Sequence, residues 1–237
     1  MTTGPEISVI VPSLNEEKYI ESCLASLRSQ EISRTYEIIL GDGYSSDRTL
    51  EIASKYVDKV AFERKRTVGA GRQTAAKQAE GKVISFACAD SYYPEDWLAE
   101  LTRPIFDQGF GGAFGLVLCR EGDKLDELGS KYVLAPTALI LSKLGICFSP
   151  GETIALDHEV FKRVGGFNVD MVTNEDQDLV KRASKISRIA FNPRAKAYVS
   201  MRRVKKWGRL RYLMFHTANF LQYQILGRAN KVYEPVR

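Results

Sequence analysis

The 237-residue sequence predicts an α/β fold: a mostly parallel sheet flanked by helices. Three observations carry that reading. Short β-branched runs alternate with segments of helical apolar spacing as far as Leu118, the pattern of βαβ units. The apolar runs are near-continuous, as in strands buried on both faces. Acidic residues stand where predicted strands end: Asp42 closes Tyr36-Glu37-Ile38-Ile39-Leu40-Gly41, and Asp90 follows Val83-Ile84-Ser85-Phe86-Ala87. A third acidic station, Glu175-Asp176, opens a later helix-like segment. Ligands of open α/β sheets bind outside the carboxyl ends of the strands. Carboxylates gathered there suit a cation, a ribose or a hydroxyl that must lose a proton, so the chain reads as an enzyme.

The elements follow in order. Ile7–Val11 is a short β-branched run stopped by Pro12, hence a buried strand. Ile20, Cys23, Leu24 and Leu27 give helical spacing within Glu17–Gln30. Glu37–Leu40 is the second strand. Ser45-Ser46-Asp47 supplies cap residues for a helix over Thr49–Tyr56, with Asp47 itself read as a cap. Lys59–Phe62 is the third strand, Gly69–Ala79 a helix and Lys82–Ala87 the fourth strand. Pro94 suits the first turn of a helix running to Phe106, and Gly112–Leu118 is the fifth strand. Val133–Phe148 is apolar but interrupted by Pro136 and Lys143. It is shorter than the ~20 residues of a membrane span, and a core helix is the favoured reading over an interfacial segment.

Composition narrows the class. Apolar residues at 44% and charged residues at 27% are ordinary for a globular chain. Cys23, Cys88, Cys119 and Cys147 form no CxxC pair, which points to reduced thiols and a cytoplasmic location. No signal peptide is read at the N-terminus. The net charge of +5 is unevenly spread: residues 181–237 hold fifteen Lys or Arg and one acid, Glu234. A basic tail on an acidic body suggests an anionic partner. His158 and His216 are isolated and read as structural. Cys119 and Cys147 read as core residues.

Five blocks, in order, resemble the signatures of inverting glycosyltransferase family 2. Ile7–Glu17 is similar to its opening strand–Pro–x–x–Asn–Glu. Glu37–Thr49 resembles its second signature, and Gly69-Ala70-Gly71-Arg72-Gln73 with Ala79-Glu80-Gly81 its third. Asp90 falls at its Asp-x-Asp position. Gly165-Gly166-Phe167 followed by Asn174-Glu175-Asp176-Gln177-Asp178 is similar to its Gly-Gly-Phe and Glu-Asp blocks. A nicotinamide site is rejected, because Gly69-x-Gly71 lacks the third glycine of a dinucleotide fingerprint.

The resemblance implies a GT-A fold, a Rossmann-like sandwich binding a nucleotide sugar and usually Mg²⁺ or Mn²⁺. It implies a catalytic domain over 1–200, leaving 201–237 as a basic amphipathic tail. Pro12, Asn15 and Glu16 would flank the nucleoside, with Glu16 accepting from ribose hydroxyls. Asn15-Glu16 also suits a plain helix start. Asp42 would accept from the nucleobase, although Asp-Gly also favours a tight turn. Arg72 matches a diphosphate- or base-adjacent arginine, and Gly69 and Gly71 would admit the ligand close to the backbone.

Asp90 would hold the metal. Cys88 replaces the first acid of Asp-x-Asp, and a thiol is a poor ligand for a hard cation, so a weakened site is expected. Asp176 would be the general base, a role worth typically ~10²–10⁴ in rate, with Glu175 and Asp178 as orienting or helix-start acids. The expected partners are a nucleoside-diphosphate sugar donor and a glycan or polyprenyl-phosphate-type acceptor. An anionic membrane surface would meet the tail, making the protein peripheral on the inner membrane face. Arg203-x-x-Lys206-Trp207 matches the Gln-x-x-Arg-Trp motif of processive relatives too poorly to imply a polymerase. No nucleic acid is expected, for want of a motif. The alternative is a GT-A module that binds nucleotide or glycan without turnover.

Overall fold

A computed structural model of the chain describes residues 4–143, 151–230 and 233–234. Its sheet strands are β1 (Ile7–Ser13), β2 (Tyr36–Asp42), β3 (Lys59–Phe62), β4 (Val83–Phe86), β5 (Ser91–Tyr92), β6 (Gly112–Arg120), β7 (Ile154–Asp157) and β8 (Ile189–Ser200). The helices are α1 (Ile20–Arg28), α2 (Thr49–Ala53), α3 (Val68–Ala76), α4 (Trp97–Gln108), α5 (Lys124–Gly129), α6 (Ala135–Lys143), α7 (His158–Arg163), α8 (Glu175–Ser184), α9 (Arg202–Trp207) and α10 (Arg209–Leu226).

The strands form one sheet in the order β3-β2-β1-β4-β7-β6-β8-β5. The first four are parallel, as the alternation predicts. β7 enters antiparallel to both β4 and β6, β8 lies parallel to β6, and β5 pairs antiparallel with β8. The sheet is therefore parallel in one half and mixed in the other.

Strand alternation splits β1 between two cores. Val9 and Val11 face Leu24 and Leu27 of α1 and Trp97 of α4. Ile10 faces the opposite side, with Ala75 of α3, Phe161 of α7 and Leu179 of α8. Burial on both faces explains why the strand reads as an unbroken apolar run.

α4 begins at Trp97, after a turn in which the Trp97 N–H bonds the Pro94 carbonyl at 2.9 Å. Gly109, with φ +67°, ends it in the left-handed region that favours glycine.

The core helix expected over 133–148 is corrected. α5, a π-helical turn (Ser130–Leu134) and α6 run in succession on the outside, leaving Val133 62% and Ile140 59% exposed. Both faces of the sheet are already covered, so this apolar segment has no core to enter. Residues 144–148 of that segment, and Cys147 with them, lie outside the described residues. α10 forms where the basic tail predicts a helix, but it buries Asn219 and Tyr223 rather than an apolar stripe.

Candidate active site

The site begins at the carboxyl ends of β1 and β2, where Ser13 and Asp42 are register partners. Asp42 is fully buried. Its Oδ2 accepts from the Ser13 and Ser45 hydroxyls, both at 2.7 Å, and its Oδ1 from the Ser45 N–H at 2.7 Å. The carboxylate thereby ties the two strand ends together. Asn15, at φ +56°, accepts from the Ser46 N–H at 2.8 Å and donates its own N–H to Ser45 Oγ. Asp47 accepts from the Thr49 N–H at 3.0 Å, but the residue at the N-cap of α2 is Arg48, with no side-chain cap bond, so Asp47 stands one residue ahead of the cap position expected for it.

Glycines set the next layer. A Cβ on Gly41 would lie 2.2 Å from the Gly71 carbonyl oxygen, and one on Gly71 would lie 3.1 Å from Pro12 Cβ. These residues let α3 approach β1 and β2. The close approach is thus helix to strand, where a ligand contact was expected. Arg72, the next residue, points inward and is 2% exposed. Its Nη1 donates to Glu175 Oε1 at 3.1 Å, and its Nη2 to the Gly151 carbonyl at 2.7 Å and to Cys88 Sγ at 3.1 Å. The guanidinium stands 5.6 Å above the Phe167 ring. Gly165 and Gly166, at φ +78° and +67°, turn the chain so that Phe167 packs edge-on against Phe86.

Around Arg72 lies a ring of acids. Glu175 and Asp176 open α8 behind Asn174, which has φ +58°. Asp176 Oδ1 accepts from the Gln177 N–H at 2.7 Å, and the Gly151 N–H also bonds this carboxylate. Burial pushes Glu175 up to about 7; the neighbouring Asp176 charge adds to the rise and Arg72 opposes it. Burial likewise raises Asp176, again opposed by Arg72. Glu152 is raised to about 7 by burial and then by the Asp176 charge.

Asp90 lies just past β4. A salt bridge of 3.0 Å joins its Oδ2 to Arg202 Nε. The same guanidinium donates twice to Glu16, at 2.7 and 2.8 Å, and sits 4.9 Å above the Tyr19 ring. Among the described residues, then, Pro12, Asn15, Glu16 and Asp42 lie at the carboxyl ends of β1 and β2, and Asp90 is joined to Glu16 through Arg202. Arg72 links Glu175 to Cys88, with the Asp176 charge nearby.

Residues 8–165 match the family model "Glycosyl transferase family 2", a span that takes in Asp42, Arg72 and Asp90 and ends before Glu175 and Asp176. The chain belongs to glycosyltransferase family 2. Among relatives, it is 36% identical over 102 residues to poly(ribitol-phosphate) β-N-acetylglucosaminyltransferase TarS of Staphylococcus aureus, covering 40% of this chain and 18% of that protein. It is 34% identical over 100 residues to dolichyl N-acetyl-α-D-glucosaminyl phosphate 3-β-D-2,3-diacetamido-2,3-dideoxy-β-D-glucuronosyltransferase of Methanococcus voltae, covering 39% and 31%. The chain thus spans under a third of the length of either relative.

A solved structure of S. aureus TarS 1-349 with UDP-GlcNAc aligns at TM-score 0.66 and 26% identity, over 82% of this chain and 58% of that one. The mannosyltransferase PcManGT of Pyrobaculum calidifontis, solved with GDP-Man and Mn²⁺, aligns at TM-score 0.68 and 22% identity, over 97% and 66%. The fold of this family 2 chain is accordingly the mixed α/β sandwich of GT-A glycosyltransferases.

The residues around Asp90 bear on the metal expected there. Among the described residues no group of three His, Cys, Asp or Glu forms a ready cage. Cys88 is engaged elsewhere: its sulfur accepts from Arg72 Nη2 at 3.1 Å, and burial raises its thiol well above the ordinary range. The oxygen donors do fit a cation, because Glu16 and Asp90 already converge on one positive charge, the Arg202 guanidinium. A hard ion favours such carboxylate oxygens.

Two residues of the site were missed by the sequence reading. Glu152 precedes β7, whose first residue Ile154 pairs with Phe86 at the end of β4. Because β7 is antiparallel, its start lies at the carboxyl end of its neighbour, and the sequence carries no mark of that direction. Arg202 was read as part of a basic run; its selection came from β8, whose Val199 pairs with Ser91 and so delivers the next residues to Asp90. His158 bonds the Gly81 carbonyl at 2.8 Å, in keeping with a structural role. His216 is also structural but not isolated, lying among Tyr212, Phe215 and Tyr233.

Proposed function

We propose that this chain transfers a sugar from a nucleoside diphosphate to an acceptor hydroxyl or lipid phosphate by single displacement with inversion. Asp176 takes the proton of the incoming hydroxyl, which attacks the anomeric carbon as its bond to the diphosphate breaks. The observation that carries this reading is the junction of α3 and α8. Arg72 and the Gly151 N–H hold Glu175 and Asp176 in a half-buried acidic ring, where burial raises the basicity of Asp176. Glu175 orients the pair through Arg72. Pro12, Asn15, Glu16 and Asp42 form the nucleoside corner, with Asp42 bracing it through Ser13 and Ser45. Mg²⁺ or Mn²⁺ would be held weakly by Asp90, with Glu16 beside it, and when bound would supply charge neutralisation to the leaving diphosphate. The relatives solved with UDP-GlcNAc and GDP-Man support a donor of this class.

Asp176→Asn tests the assignment. Transfer from UDP- or GDP-sugars should fall ~10²–10⁴-fold, while UDP or GDP binding by calorimetry stays nearly intact. Loss of binding with normal turnover of bound donor would refute the role of the base. Cys88 at the first acidic position favours a second reading, a nucleotide-binding module without turnover. An inactive wild-type chain that still binds donor, tested across a panel of acceptors, would support it.

The segment 201–237 would meet an anionic membrane carrying the acceptor, as an adjunct to a catalytic unit over 1–200. Leu210, Leu213, Met214 and Ile225 of α10 are exposed beside Lys205 and Arg211. No helix among the described residues is long and apolar enough to cross a membrane, so contact would be at the interface, on the cytoplasmic side if the thiols are reduced. Flotation with phosphatidylglycerol vesicles should retain the wild type and lose the variant Lys205→Glu/Leu210→Glu/Leu213→Glu. Equal recovery of both would remove the membrane contact.

A further inference from the structure

Arg202 is the first residue of α9, and it bridges the two carboxylates nearest the expected donor site. Its Nη1 and Nη2 donate to Glu16 at 2.7 and 2.8 Å, and its Nε lies 3.0 Å from Asp90 Oδ2. Both partners are largely enclosed: the side chains of Glu16 and Asp90 are 11% and 23% exposed, and that of Arg202 is 17% exposed. Charge-assisted bonds of this kind are about twice as strong as neutral ones, so the guanidinium is held firmly between the two carboxylates.

The backbone that carries the arginine is fixed. Val199 of β8 pairs with Ser91 of β5, and the Ser200 N–H bonds the Asp90 carbonyl at 3.2 Å. The Arg202 N–H in turn donates to Ser200 Oγ at 3.3 Å. Removing the guanidinium from the carboxylates therefore needs only a rotamer change of one long side chain, with no helix displaced. The surroundings favour keeping some cation there, because the charges of Asp176 and Asp90 both add to the rise of Glu152.

We infer that Glu16 and Asp90 together form a divalent-cation site and that Arg202 is its built-in competitor. The inference rests on the donor site proposed above and deepens it. In the absence of ligand, the guanidinium holds the two carboxylates. A divalent ion arriving with a nucleoside diphosphate takes the same oxygens, and the arginine turns away. One +2 ion satisfies two carboxylates that a single +1 group leaves with residual negative charge. The second oxygen donor, Glu16, replaces the acid that Cys88 does not supply. Metal affinity is thus set against an internal ion pair.

The test uses the full chain and free Mn²⁺, followed by the loss of its paramagnetic resonance signal on binding. Mn²⁺ is titrated alone and in the presence of UDP or GDP. Arg202→Gln should bind Mn²⁺ alone roughly tenfold or more tightly, the scale of a lost charge-assisted bond. Arg202→Lys should stay nearer the wild type. Asp90→Asn and Glu16→Gln should each weaken binding in the Arg202→Gln background. Circular dichroism establishes that each variant is folded; Arg202→Ala replaces Arg202→Gln if the latter is not. Unchanged or weaker Mn²⁺ binding by a folded Arg202→Gln chain would overturn the competition. Nucleotide binding that ignores Mn²⁺ but requires Arg202 would also overturn it, making the arginine the resident cation. Because the metal-alone titration needs no nucleotide, tighter Mn²⁺ binding with no UDP or GDP binding would sink the donor reading and leave the cation site standing.

Discussion

Arg72 Nη1 lies 3.1 Å from Glu175 Oε1, a buried pair that fastens the middle of α3 to the first residue of α8. The two residues are far apart along the chain, and the guanidinium also stands 5.6 Å above the Phe167 ring. Arg72 therefore acts as the central strut of the site.

Arg72→Ala should be severely destabilising. It leaves Glu175 enclosed without its counter-charge and frees the Gly151 carbonyl. Breaking one partner of a buried pair typically costs ~3–5 kcal/mol. Urea unfolding monitored by circular dichroism measures the change. Arg72→Lys should recover only part of it, because an ammonium cannot reach Glu175, Gly151 and Cys88 in one plane.

Glu152 should make stability fall as pH rises. Its folded value, about 7, lies above its ordinary value of 4.5. The folded state then binds the proton more tightly than the unfolded chain. That contribution is full below about pH 4.5 and is lost as pH rises through about 7. Glu152→Gln removes the linkage. The stability of the variant relative to wild type should increase from pH 5 to pH 7.5, read from urea midpoints at each pH. A difference that is flat with pH would refute the raised value.

Gly41→Ala should separate α3 from the sheet. The new Cβ would stand 2.2 Å from the Gly71 carbonyl oxygen, which is backbone and cannot turn aside. Overpacking of this kind costs ~1–3 kcal/mol. Gly129→Ala is the contrast: nothing lies within 4 Å of its added Cβ, and it sits in α5. There the substitution should stabilise by about 0.5–1 kcal/mol. Thermal denaturation of both variants checks the pair.

Asn219→Ala should loosen the C-terminal segment. Asn219 is buried in α10, and its Oδ1 accepts from the Thr173 hydroxyl at 3.3 Å and the Asn230 N–H at 3.0 Å. Its carbonyl accepts from Asn174 Nδ2 at 3.1 Å. Leaving the side-chain bonds unmade costs ~1–3 kcal/mol. Limited proteolysis should then cleave within 209–226 earlier than in wild type. Unaltered protection would show that Tyr223, which donates to Asp178 at 2.9 Å, holds the segment by itself.

The two halves of the molecule differ in how plainly they were written. β1 to β4 and the helices between them were legible because each repeats one local pattern: an apolar run, a polar strand end, then 3.6-residue spacing. β7 and β8 were not, because a strand's direction and neighbour are set by pairing and leave no periodic trace. Asp90, Glu175 and Asp176 stood out by type and position. Glu152 did not, since it becomes part of the site only when antiparallel β7 brings its start beside Phe86.

By itself, the sequence determined the family, the parallel half of the sheet and the acidic residues that stand at its strand ends. These depend on local patterning and on side-chain chemistry at strand ends, both carried by residues close together in the chain. Tertiary structure alone decided that Arg72 faces inward, that Glu152 lies within reach of the Asp176 charge, and that Arg202 grips Glu16 and Asp90. Those outcomes hang on contacts between distant segments, where burial and charge compensation, rather than local propensity, choose the partner.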